Sequence, residues 1–115
     1  MASTTREIPR EEWRTYFDDF SRDLPDLAAT VEVIAEDLGA QVEAGQARLA
    51  GISYDDRDDV LVIGLDAPGG TPEDLERVVY NPRRIMVAEG DDRQIVYDIE
   101  DAEHTQTLLR LEPAG

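Results

Sequence analysis

Apolar residues recur at every second position in short runs along most of this chain, and nearly every run is stopped within a few residues by Gly, Pro, Asn or Asp. Ile95, Tyr97 and Ile99 alternate with Val96, Asp98 and Glu100, and Val31, Val33 and Ala35 alternate with Thr30, Glu32 and Ile34. A period of two gathers one set of side chains onto one face of a pleated strand. Reversals this short leave no room for the crossover that parallel strands need, so neighbouring strands run antiparallel. Such a sheet hides its edges by rolling up, by packing on itself or by pairing with another copy.

The period is 3.6 only before Pro25. Apolar residues at Trp13, Tyr16, Phe17, Phe20 and Leu24 form a helical stripe that holds the only Trp and both Phe. Pro9 suits a first helical position, Glu11 and Glu12 suit the positive end of the helix dipole, and Pro25 ends the segment. Beyond it, Asp37-Leu38-Gly39 is a turn, and Gln41 to Tyr54 alternates loosely with a kink or hairpin at Ala44-Gly45. Val60 to Leu65 is apolar without alternation, which predicts a strand covered on both faces. Residues 67–72 read as a loop. Thr71 to Asp74 has the form of a capping box while Arg77 to Tyr80 has β-formers, so a single helical turn at most precedes a strand. Asn81-Pro82-Arg83 breaks that strand, Ile85 to Glu89 resumes one, Gly90 to Arg93 reverses, Asp101 to His104 turns, and Thr105 to Leu111 is the last strand. The expectation is one α+β, mainly β domain over 1–115, frayed at 1–7 and 113–115. Its N-terminal amphipathic helix packs on a strongly curved antiparallel sheet or small barrel of six to seven strands.

Charge narrows the function classes. Twenty-seven acidic residues face eleven basic ones, all Arg, for a net charge of −16. That balance opposes direct binding to nucleic acid, whose affinity comes largely from Lys and Arg neutralising phosphates. The carboxylates are spread along the chain, as on a heavily hydrated and salt-adapted surface. No apolar run is long enough to span a bilayer, the first residues lack the apolar core of a signal peptide, and cysteine is absent. A cytoplasmic location is the default expectation.

Asp55, Asp56, Asp58 and Asp59 place four carboxylates within five residues, between two apolar runs. Arg57 interrupts the alternation a calcium loop needs, and neither its Gly nor its distal Glu follows. The segment is built instead for a hairpin bend, because Asp side chains cap backbone N–H groups and tolerate turn dihedrals. His104 is the only histidine and stands at a predicted turn. Gly51-Ile52-Ser53-Tyr54-Asp55 lacks the second Gly of a nucleophile elbow, and Gly69-Gly70-Thr71 lacks the Lys of a phosphate loop. No catalytic constellation, cofactor or metal site is expected.

Two resemblances add to this reading. "LAGISYDDRDDVLVIGLD" resembles the strand-loop-strand of Sm-like proteins, with Tyr54 and Asp55 in place but Asp59 where that family has Asn; "HTQTLLRLE" lacks its later Gly motif. The likeness implies a barrel and not RNA binding. Over nearly the whole chain, "REIPREEW" with its aromatic stripe, "VEVIAEDLGAQVEA" and "LAGISYD" resemble an uncharacterised bacterial and archaeal family of small acidic proteins, which implies no activity. The function expected is therefore a non-enzymatic β domain acting through a protein partner or self-association. The alternative is a nucleic-acid mimic that presents Asp55, Asp56, Asp58, Asp59, Asp91 and Asp92 on one face to a basic protein. A small hydrolase or binding protein using His104 or a buried carboxylate in a pocket ranks last.

Overall fold

The computed structural model describes residues 4–35, 39–66, 75–90 and 92–114. Strand β1 (Thr4–Ile8) leads through a 3-10 turn (Arg10–Glu12) into helix α1 (Trp13–Arg22). Seven strands follow: β2 (Leu27–Ala35), β3 (Gly39–Asp55), β4 (Val60–Asp66), β5 (Leu75–Tyr80), β6 (Pro82–Glu89), β7 (Ile95–Asp101) and β8 (Gln106–Pro113). All pair antiparallel in one sheet of order β1-β6-β7-β8-β2-β3-β4-β5. The chain is mainly β with one short helix, as its periodicity requires. The strand count is eight and not six or seven, and no ladder joins β1 to β5 among the described residues, so the sheet is open and not a closed barrel.

The additional strand is β1. Thr4 to Glu7 fall within the stretch expected to fray, yet they pair with Glu89 to Met86. Only Ile8 of β1 is buried, so the strand carries no alternation to betray it. At the other end, Pro113 belongs to β8, and Ala114 N donates to Asp26 O at 3.0 Å. The helix also differs from its expected form: Pro9 precedes a 3-10 turn, and the α-helix proper starts at Trp13 and stops at Arg22. Trp13 Nε1 donates to Ile8 O at 2.8 Å, which ties the helix start to the end of β1.

Two corners fold the open sheet over itself. At the first, β3 pairs with β2 as far as Arg48 and with β4 from Arg48 onward. Register shifts against Ala29, Val31 and Glu32 bend it around 43–46, where a kink was expected, and one strand runs through. At the second, Asn81 alone separates β5 from β6, so Pro82 is already in the next strand. Asn81 has φ 56°, a left-handed conformation that Asn tolerates. Its N donates to Asp59 O at 2.9 Å, and its O accepts from Ala102 N at 3.0 Å. The β3–β4 and β7–β8 turns, far apart in strand order, therefore meet at one residue.

The core lies between the two layers. Leu61, Ile63, Leu65 and Val79 from β4 and β5 and Ile85, Val87, Ile99, Leu109 and Leu111 from β6, β7 and β8 belong to one buried cluster. Trp13 and Phe17 enter it from α1 at 1% and 0% exposure, so the aromatic stripe seals the sheet. Tyr97 is fully buried under this stripe, 5.4 Å from the Phe17 ring and 5.7 Å from the Phe20 ring, edge to face. Its hydroxyl lies 3.1 Å from that of Tyr16. Burial, with that hydrogen bond second, pushes the Tyr97 phenol well above the usual range.

Candidate interaction surface

The apolar run of β4 was expected to be covered on both faces. Its inner residues Leu61, Ile63 and Leu65 are 0–2% exposed, whereas outward-facing Val60, Val62 and Gly64 are only half-buried. On the outer side α1 packs on β3, and only Val62 and Gly64 of β4 share a groove with its Asp18, Ser21 and Arg22. By Ile52, strand β3 has left β2, so its backbone lacks a strand neighbour on that side. Ser21 of α1 takes that place: its Oγ donates to Ile52 O at 2.8 Å and accepts from Ile52 N at 2.9 Å. Beside this clamp, the facing pair Gly51 and Gly64 leaves a shallow groove of about 450 Å³. Ala50, Val62 and Ser21 contribute to its walls, with Asp18 and Arg22 at the rim.

Outward from the groove, Val62 sits opposite Val78 and Val60 opposite Tyr80 on the β4–β5 ladder. Such same-face neighbours make a continuous apolar strip. Tyr80 is 66% exposed and is the one exposed large apolar residue among those described. Strand β5 ends the sheet order, so no described strand pairs with its outer edge.

The acidic bend borders this layer. Asp55 Oδ1 accepts from Arg57 N at 2.9 Å and Asp58 N at 3.3 Å, the cap its sequence anticipates. Asp56 lies 3.7 Å from Arg14 with both side chains exposed. Asp59 does more than decorate the turn. It sits at φ 55°, and its Oδ1 accepts from Tyr54 Oη at 2.6 Å and from Arg10 Nη1 at 3.3 Å. Arg10 also donates to Tyr54 Oη at 3.2 Å and to Pro82 O at 2.7 Å, with its guanidinium 4.6 Å from the Trp13 ring centre. Burial first, then the hydrogen bond to the Asp59 carboxylate, pushes the Tyr54 phenol up to about 12. Sequence reasoning missed this network because its members lie up to 72 residues apart.

The remaining candidates scatter. Asp92 caps Gln94 N at 3.3 Å in the β6–β7 turn, and Asp91 lies outside the described residues. That turn and the Asp55–Asp59 bend stand at opposite ends of β6, a strand of eight residues spanning roughly 25 Å. The five described carboxylates thus do not form one face. A second cleft of about 390 Å³ beside the bend mixes Arg14 and Arg57 with Asp18, Asp55 and Asp56. His104 is exposed in the β7–β8 turn at φ 64°, 3.9 Å from the Glu100 carboxylate, and borders neither this cleft nor the groove. Among the described residues, no three His, Asp or Glu side chains converge as metal ligands would. No described helix is long and apolar enough to cross a membrane.

A family model described as "Family of unknown function (DUF5335)" matches residues 4–114. An uncharacterised protein of Aquifex aeolicus (strain VF5) is 36% identical over 110 residues, covering 96% of this chain and 94% of that one. The crystal structure of the Bacillus subtilis YojF protein superposes with a TM-score of 0.52 at 10% identity, over 96% of this chain and 95% of that one. That likeness is one of fold alone.

Proposed function

The chain belongs to DUF5335, a family of unknown function, and from its own geometry we propose that it is a non-enzymatic interaction domain working through the outer side of β3, β4 and β5. The observation that carries this reading is the strip formed by Val60, Val62, Val78 and Tyr80 beside a strand edge that no described strand pairs. On a chain of net charge −16, most of the surface gains from staying in water. Contiguous apolar surface next to open backbone donors and acceptors is what a protein partner covers, with main-chain bonds giving affinity and side chains giving specificity. A β4 sequence written for burial on both faces is consistent with cover arriving from outside the fold. The mimic reading would have to work from the β3–β4 bend alone.

The test is retention of proteins from native lysate, this chain's own copies included, on immobilised wild type and two variants. The reading requires a protein held by wild type and by His104→Ala but lost with Val62→Asp. Retention that ignores Val62→Asp, or no specific retention at all, overturns it.

A further inference from the structure

We infer that the occupant of the β5 edge is a second copy of this chain, paired antiparallel about a two-fold axis through Val78; this rests on the interaction reading above and specifies its partner. Ladder parity sets the geometry. The bond from Asn81 N to Asp59 O extends the β4–β5 ladder and makes its odd-numbered β5 residues the hydrogen-bonded ones. Glu76, Val78 and Tyr80 therefore turn their N–H and C=O groups away from β4, toward the side where no described strand pairs. A two-fold through Val78 sets those even-numbered residues against one another, so each copy's free donors meet the other's free acceptors.

Side chains select this register over its neighbours. Centred on Val78, the pairing opposes Val78 to itself and Glu76 of one copy to Tyr80 of the other, with no like charges facing. Centring on Arg77 sets Tyr80 opposite position 74, beyond the start of the other copy's β5, and centring on Glu76 opposes two carboxylates. Centring on Val79 brings Pro82, which has no N–H, opposite Glu76 and runs the pairing past the corner at Asn81. The β1 edge is a poor competitor, since Thr4 to Glu7 are exposed polar residues. In the β5 pairing, the Val60–Tyr80 strips of the two copies join into one apolar surface across the axis. Each copy carries −16, so repulsion opposes the pair and salt strengthens it.

The purified full chain has no cysteine, which makes a thiol test clean. A Val78→Cys variant places its two thiols near the axis, on backbones about 5.5 Å apart. A short bifunctional thiol reagent should join it into a covalent dimer in molar salt, while Arg6→Cys on the β1 edge stays monomeric. Light scattering should find wild type dimeric at high protein concentration and Val78→Pro monomeric. That Pro removes an N–H that faces away from β4, so the fold survives, as circular dichroism should confirm. Val78→Lys should act likewise through charge. A dimer that persists in Val78→Pro and Val78→Lys, or that crosslinks as well through Arg6→Cys, overturns the β5 register and leaves the interaction reading standing. A strict monomer at every concentration and salt overturns the second copy, and the lysate experiment then decides the broader reading by itself.

Discussion

The two sides of β4 are made of similar residues and meet different fates. Leu61, Ile63 and Leu65 point between the layers and are closed off by the far half of the sheet, while Val60 and Val62 look outward and stay half-open beside α1. Apolar content alone thus does not decide burial in this fold; what decides it is whether the two corners bring a second layer over that side. The inner side holds the fold together, and the outer side is where we propose that a partner sits.

Substitutions should separate the sides by size of effect. Phe17→Ala, which opens the seal over Tyr97, should cost about 3–5 kcal/mol in denaturant unfolding. Leu61→Ala should cost about 2–5 kcal/mol, and Val62→Ala, one position along on the open side, under about 1 kcal/mol; equal losses would erase the distinction. At the bend the same contrast recurs on a smaller scale. Asp59→Ala takes the acceptor from the Tyr54 hydroxyl and a partner from Arg10 and should cost about 1–3 kcal/mol, against less than about 0.5 kcal/mol for exposed Asp56→Ala.

The pH response tests the inner side again. Folding raises the Tyr54 phenol from its ordinary value of 10.0 to about 12, so the unfolded chain releases that proton first. This contribution to stability is whole below pH 10 and is lost as pH rises toward 12. Buried Tyr97 shifts in the same direction. Melting followed from pH 9 to 12 should show the fall, and Tyr54→Phe should make it shallower; no change would place the phenol in water. Last and smallest, the melting temperature should rise between dilute buffer and molar salt as screening relieves the charge of −16.

How much of this was legible followed from locality. The helix stripe and strand β7 declare themselves because their partners all lie on one side, so period and burial agree. β1 hid because an edge strand with four exposed residues shows no alternation. Asn81-Pro82-Arg83 read as a break, yet one left-handed residue suffices to pass from strand to strand. Arg77 gave no hint that it would reach across the layers to the buried Thr107, 30 residues away, at 3.3 Å. Of the candidate surface, the unalternating run of β4 was the visible trace. Which half of that run would be left open depends on the corners, and no local pattern encodes them.

The pairing of β1 with β6 has a consequence for how the molecule is made. Thr4 to Ile8 are synthesised well before their partners Ile85 to Glu89, which follow some eighty residues later. Until then this segment has nowhere to dock, and the loop that must close to place it takes up most of the sequence between the two strands. β1 is thus among the last strands able to settle, and a nascent chain halted before residue 82 should leave Thr4 to Ile8 without their strand partner.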